Sequence, residues 1–225
     1  MQEKVLENKR LQYIDIAKGI AMICIILGHM GNANINRVVF TFHVPIFFFI
    51  TGYFISDKCE VNIFVRNKVR TLIIPYIITC LAIVIIATLQ GAICGDAIVE
   101  IKKWSYASVY GAGDSYTNPF YIPGIGAIWF LLATFWGSIF LRISLNFNKY
   151  IRLFSIAVIF AIGYYSRKLF WFPLSIQAGA CATLFMYMGN LLNLTKDIIK
   201  EIPNEVKKFG IGFAMVTWYF FIKDF

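Results

Sequence analysis

Four ionisable side chains stand where an apolar sequence has least reason to hold them. Asp15, Lys18 and His29 fall in the apolar run of about 11–31, and His43 in the next, about 38–56. Ionisable groups inside a transmembrane segment are costly, so each marks a functional position by default. On a 3.6-residue turn Asp15 and Lys18 are i,i+3 neighbours. Lys18 and His29 are eleven residues apart, about 1100° of rotation, so they share one stripe ~16 Å apart along the axis. Imidazole titrates near a pKa of about 6.5, which lets neutral histidine remove a hydroxyl proton near neutral pH. The chain has two histidines, and both belong to this cluster. A plainer reading stays open: Asp15 and Lys18 as an interfacial ion pair with Lys18 snorkelling to headgroups, and each histidine as a hydrogen-bonded packing residue.

Other chemistries lack their signatures. No GxSxG elbow and no suggestively spaced Cys/His pair supports a serine or cysteine nucleophile. No HExxH spacing supports a metal, so none is expected. Cys24, Cys59, Cys80, Cys94 and Cys181 are odd in number, form no CxxC, and read as small core residues.

The elements that must carry this cluster follow from composition. Of 225 residues, 59% are hydrophobic and 15% charged, with a mean hydropathy of +0.70. Soluble domains run at about 45–50% apolar and about 25% charged. The expectation is an all-α, polytopic transmembrane helical bundle in the cell membrane, with a bilayer span needing about 20 apolar residues. Seven segments qualify or nearly so: about 11–31, 38–56, 72–95, 126–142, 151–166, 172–194 and 209–222. Pro45 and Pro75 lie within the second and third. The first run carries charges and ends without a small-residue cleavage site, so it reads as a retained helix and not a signal peptide. No repeat or linker divides the chain, which is taken as one domain, 1–225.

The net charge of +9 is spread between apolar runs and not gathered on a polar face. It speaks for topology and lipid headgroups as partners, and against nucleic acid. With the N-terminus inside, fourteen Lys and Arg, including Lys4, Lys9 and Arg10, fall in inner segments and six in outer ones. An N-cytoplasmic orientation follows. It makes the longest expected loop, about 96–125, extracytoplasmic. There Trp104, Tyr106, Tyr110, Tyr116, Phe120 and Tyr121 interleave with Gly111-Ala112-Gly113-Asp114-Ser115 and Pro123-Gly124-Ile125-Gly126. The rings suit either stacking on sugars or an interfacial aromatic belt. The glycines form no phosphate loop, because GxxxxGK[ST] is missing.

Several blocks resemble the membrane acyltransferase family 3, which includes O-acetyltransferases of surface polysaccharides and peptidoglycan and the fucose O-acetylase-like proteins. They are Tyr13-Ile14-Asp15-Ile16-Ala17-Lys18-Gly19, Leu27-Gly28-His29, and Phe42-His43-Val44-Pro45 through Thr51-Gly52-Tyr53. Lys68-Val69-Arg70-Thr71-Leu72-Ile73-Ile74-Pro75-Tyr76 is similar to the family's basic approach to its third helix, and Ala127-Ile128-Trp129-Phe130-Leu131 to its W-F-L segment. The match runs from about 10 to 135. The resemblance implies transfer of an acyl group, most often acetyl, from acyl-CoA as donor substrate to a carbohydrate or lipid-linked glycan hydroxyl, with no bound cofactor. It implies His29 as general base, His43 orienting it or donating to the thioester oxygen, and Asp15 holding Lys18; which histidine is the base stays open. Lys18 and Arg70 would meet the coenzyme A end, and Trp129 and Tyr53 the acceptor.

Two departures stand out. The family commonly has Arg where this chain has Lys18, which keeps the charge and loses the bidentate fork. The family fold has about ten transmembrane helices against about seven here, which implies a chain short at its C-terminal end. The competing class is a non-enzymatic transporter or accessory subunit, though no inverted repeat with broken helices supports a transporter.

Overall fold

The computed structural model describes residues 11–118 and 120–223. Lys4, Lys9 and Arg10 of the orientation count lie outside them. Among the described residues the chain is all-helical: ten α-helices, one π-helical turn, and a lone antiparallel bridge between Tyr116 and Ile122. It divides into two compact units, one drawn from Met1–Ile50 and Lys196–Phe225, the other from Thr51–Thr195.

The first unit opens with α1, Gln12–Gly28, whose buried residues are Ile14, Ala21 and Gly28. A spacing of seven is nearly two turns, so these three form one narrow packed stripe. Much of the apolar surface of α1 is uncovered: Ile16, Ile20, Ile23 and Ile26 are each more than half exposed. Next comes α2, Ala33–Val39, started by Asn32, whose Oδ1 accepts from the amides of Asn34 (3.0 Å) and Ile35 (3.3 Å). A turn at 40–42 leads into α3, His43–Tyr53. The single run expected over 38–56 is therefore broken, and Pro45 sits in the first turn of α3, where a missing N–H leaves nothing unpaired. The unit also contains α10, Asn204–Lys223, whose Trp218 indole donates to Thr41 Oγ1 at 3.1 Å and stands edge-on to Phe42.

In the second unit α4, Val61–Lys68, runs through the π turn Val69–Ile73 into α5, Ile74–Cys94. Pro75 explains the π turn. Its ring would clash with a carbonyl four residues back in regular α-helix, and a wider turn relieves that. The inner segment 57–71, between the expected spans 38–56 and 72–95, is thus largely helical. So is much of the expected 96–125 loop, since α6 spans Ala97–Tyr110. Its charges, which read as loop, make local pairs: Trp104 Nε1 donates to Glu100 Oε2 at 2.9 Å, and Lys103 lies 3.7 Å from the same oxygen.

The core of this unit belongs to α7, Trp129–Ser144, and α9, Ile176–Glu201, with α8, Lys149–Ser166, beside them. Small residues set the spacing, as in membrane helix packing. A Cβ on Gly52 would collide with the backbone of Met186, and one on Gly163 would lie 2.8 Å from the Ala180 methyl. Among the described residues two runs, Ala33–Tyr53 and Val61–Cys94, are long and apolar enough to cross a membrane, against the seven expected from sequence. Among the others, α1 and α7 have 17 and 16 residues, short of the ~20 that a span needs.

Candidate functional site

The two histidines are gathered at one end of α1 in the first unit. His29 is the residue that caps α1, and it is exposed. Gly28 beside it approaches the Phe40 ring so closely that a Cβ would lie 2.6 Å from Phe40 Cε1. Phe40 in turn packs on His43, with ring centroids 5.1 Å apart. His43 Nδ1 is 2.7 Å from the Val39 carbonyl. A carbonyl only accepts, so Nδ1 carries the proton, and Nε2 of the neutral ring is left as a lone-pair acceptor. A neutral His43 therefore cannot donate from Nε2 to a thioester oxygen, one of the two roles raised from sequence.

Lys18 is exposed and Asp15 half-buried on the same helix, three turns and nearly four turns before His29. The stripe expected from spacing is present as one continuous α-helix. The remaining expected site residues belong to the second unit. Arg70 is exposed within the π turn. Tyr53 is buried, its ring edge-on to Phe54, and it lines neither cavity described below. Trp129 opens α7 and lines a cavity.

That cavity has a volume of about 190 Å³ and is walled by Tyr110, Asp114, Tyr116, Trp129, Trp171 and Gln177. Its loop is folded on itself by reciprocal bonds between Tyr116 and Ile122 (2.9 and 2.8 Å) and by Ile125 N–H to Ala112 O at 2.7 Å. Trp171 packs tilted against Tyr116, ring centroids 4.1 Å apart, and donates to Asn118 O at 2.7 Å. Buried Gln177 holds the Trp171 segment from below: its amide donates to Ser166 Oγ and Phe170 O and accepts from Phe172 N–H. Burial pushes the Tyr116 hydroxyl up, Asp114 adding to the effect and Arg167 opposing it. Tyr116 therefore stays a protonated donor. An apolar groove of about 590 Å³, lined by Ile73, Tyr76, Cys80, Leu132 and Trp136 among others, lies in the same unit.

Sequence reasoning missed Arg142. Buried at 4% exposure on α7, it donates to the carbonyls of Asp57 (3.0 Å) and Cys59 and to Asn146 Oδ1 (2.6 Å). Asn190 on α9 adds a 2.7 Å bond to Ile55 O. Two buried polar side chains thus clamp the turn after α3. The only signal for them was a charge and an amide at the ends of apolar runs.

Residues 11–223 match the family model described as "Acyltransferase domain". No curated protein and no solved structure matches the chain.

Proposed function

The chain belongs to this acyltransferase family, and from that premise we propose that it moves an acyl group, acetyl in the simplest case, from acyl-CoA to a hydroxyl of a cell-surface carbohydrate. His29, exposed at the end of α1, takes the proton of the acceptor hydroxyl as its oxygen attacks the thioester carbonyl. The C–O bond forms, the C–S bond breaks, and the leaving thiolate takes the proton back from the imidazolium to give free coenzyme A. His43, fixed by Val39, accepts a hydrogen bond at Nε2 and helps hold the catalytic arrangement. Lys18, further along the same stripe, binds phosphate oxygens of the donor as a point charge; Asp15 sets the charge around it, and Arg70 meets the nucleotide end. Trp129 belongs to the acceptor side of the proposal by lining the cavity, whereas Tyr53, buried and lining neither cavity, contributes no contact there.

The protein is, in this proposal, a multi-pass protein of the cell membrane with a cytoplasmic N-terminus. The exposed isoleucines of α1 support it, because an apolar helix face of that extent is unfavourable in water. The observation that carries the catalytic reading is that Phe40 packs on both His43 and Gly28, the neighbour of His29, while the Val39 carbonyl sets the tautomer of His43. The test is coenzyme A release by the purified chain in lipid nanodiscs, with acetyl-CoA and a glycan acceptor. Release that depends on both substrates supports the proposal; no release under any acceptor rejects it.

A further inference from the structure

We infer that the cavity walled by Tyr110, Asp114, Tyr116, Trp129, Trp171 and Gln177 is a binding site for one neutral pyranose ring, offered by a soluble glycan or by a lipid carrier. This rests on the carbohydrate acceptor proposed above and names its subsite.

Size comes first. The cavity volume is about 190 Å³. It falls below the ~300–1,000 Å³ typical of drug-sized ligand sites. One sugar ring fits that scale and an oligosaccharide does not. Lining comes second. Tyr110, Tyr116, Trp129 and Trp171 present aromatic walls, and a pyranose offers the flat C–H faces that pack on such rings. Asp114 supplies a carboxylate, a strong acceptor for sugar hydroxyls. The same carboxylate disfavours a uronic acid at short range, and the Arg167 charge felt at Tyr116 offsets part of that penalty. The site therefore favours a neutral ring over an anionic one.

The cavity is also built, and at a cost. Ser175, which lines the cavity, and Leu174, which faces the neighbouring apolar groove, are consecutive non-glycine residues with φ of 52° and 59°, a backbone that branched or bulky side chains rarely adopt. They are held there by Leu174 N–H to Val109 O (2.9 Å), Ser175 N–H to Tyr110 O (3.0 Å) and the Ser175 hydroxyl to Gly111 O. Strain of this kind persists only where the surroundings enforce it, and it clusters at ligand sites. On the other wall Gly113 must lack a Cβ, which would stand 2.7 Å from the Trp129 indole.

The experiment measures binding by tryptophan fluorescence and saturation-transfer NMR, using the full chain in nanodiscs. The probes are methyl glucopyranoside, methyl N-acetylglucosaminide, methyl glucuronide and a short-chain polyprenyl-phosphoryl glucose. The neutral rings should bind saturably, and the glucuronide at least tenfold more weakly, with Asp114→Asn narrowing that gap. Ala178→Phe, which fills the cavity, and Tyr116→Leu, which removes a wall, should each weaken the neutral rings at least tenfold while the melting temperature stays near wild type. A carrier-linked sugar that binds more tightly than the methyl glycosides identifies a lipid-borne source, and equal binding a soluble one; both support the ring site. Absence of saturable binding by any neutral ring, or undiminished binding in a folded Ala178→Phe or Tyr116→Leu protein, overturns it. Coenzyme A release by wild type separates the two claims. Release without pyranoside binding overturns the subsite alone, and binding without release overturns acyl transfer alone.

Discussion

Replacing Arg142 by methionine should release the turn that follows α3. Arg142 is 4% exposed, and its guanidinium spans the carbonyls of Asp57 and Cys59 as well as the Asn146 amide. Methionine keeps much of the apolar volume, so little cavity term enters. What is lost is hydrogen bonding. Asn146 is exposed and can turn to water, which leaves the two carbonyls as the main loss. Unsatisfied buried groups cost about 1–3 kcal/mol each, and the exposed neighbours Ser56, Asp57 and Lys58 allow some water in. Near the lower part of that range, the two sum to about 2–4 kcal/mol. For a chain of this size that corresponds to a fall in melting temperature of roughly 4–16 °C. Arg142→Lys keeps the charge without the fork and should recover only part of the loss. Tryptophan fluorescence melting in nanodiscs reads the global effect, and the rate of Cys59 alkylation reads the turn itself. An Arg142→Met protein with unchanged melting and unchanged Cys59 reactivity would refute the clamp.

Gly52→Ala should destabilise by about 1–3 kcal/mol through overpacking against the Met186 backbone, whereas Gly19→Ala, which meets nothing within 4 Å, should be neutral or stabilising; equal melting temperatures for the two variants would contradict the close contact. Lys18→Met should raise the apparent KM for acetyl-CoA about tenfold, which is ~1.4 kcal/mol, and Lys18→Arg should retain activity. If the double variant Asp15→Asn with Lys18→Met regains both stability and full donor affinity, the phosphate role is wrong. In a cysteine-free background, an impermeant thiol reagent should label Asp114→Cys in intact cells and Asn67→Cys only after permeabilisation; labelling at 67 in intact cells would reverse the orientation.

Apolar runs made the helices legible, because burial in protein or in lipid demands the same residue types. They could not show where a run breaks. The turn at 40–42 carries no glycine, and Pro45 reads as a kink inside a span until its place in the first turn of α3 is seen. Charge misled in the opposite direction: the segment of Lys102 and Lys103 was expected as an outer loop, yet Lys103 pairs with Glu100 at i,i+3 within α6 and Trp104 bonds the same carboxylate at i,i+4. At the site, the Lys18–His29 stripe was legible since it depends only on helical rotation. The tautomer of His43 was not, for it depends on the Val39 carbonyl being turned toward the ring by the break between α2 and α3. Trp129 was legible from its block but not its cavity. That cavity needs Trp171 and Gln177, more than 40 residues further on. Tyr53, expected at the acceptor, is buried against Phe54, because a terminal tyrosine of an apolar helix looks the same whether it meets a ligand or a neighbour.

The most direct test is acetyl-CoA turnover by the purified chain in nanodiscs, compared between wild type, His29→Ala and His43→Ala, with melting temperature measured on each. With His29 as base, His29→Ala should lose about 10²–10⁴-fold in kcat at an unchanged KM for acetyl-CoA and a near-wild-type melting temperature. His43→Ala should retain measurable turnover. Wild-type kcat in a folded His29→Ala protein would contradict the account.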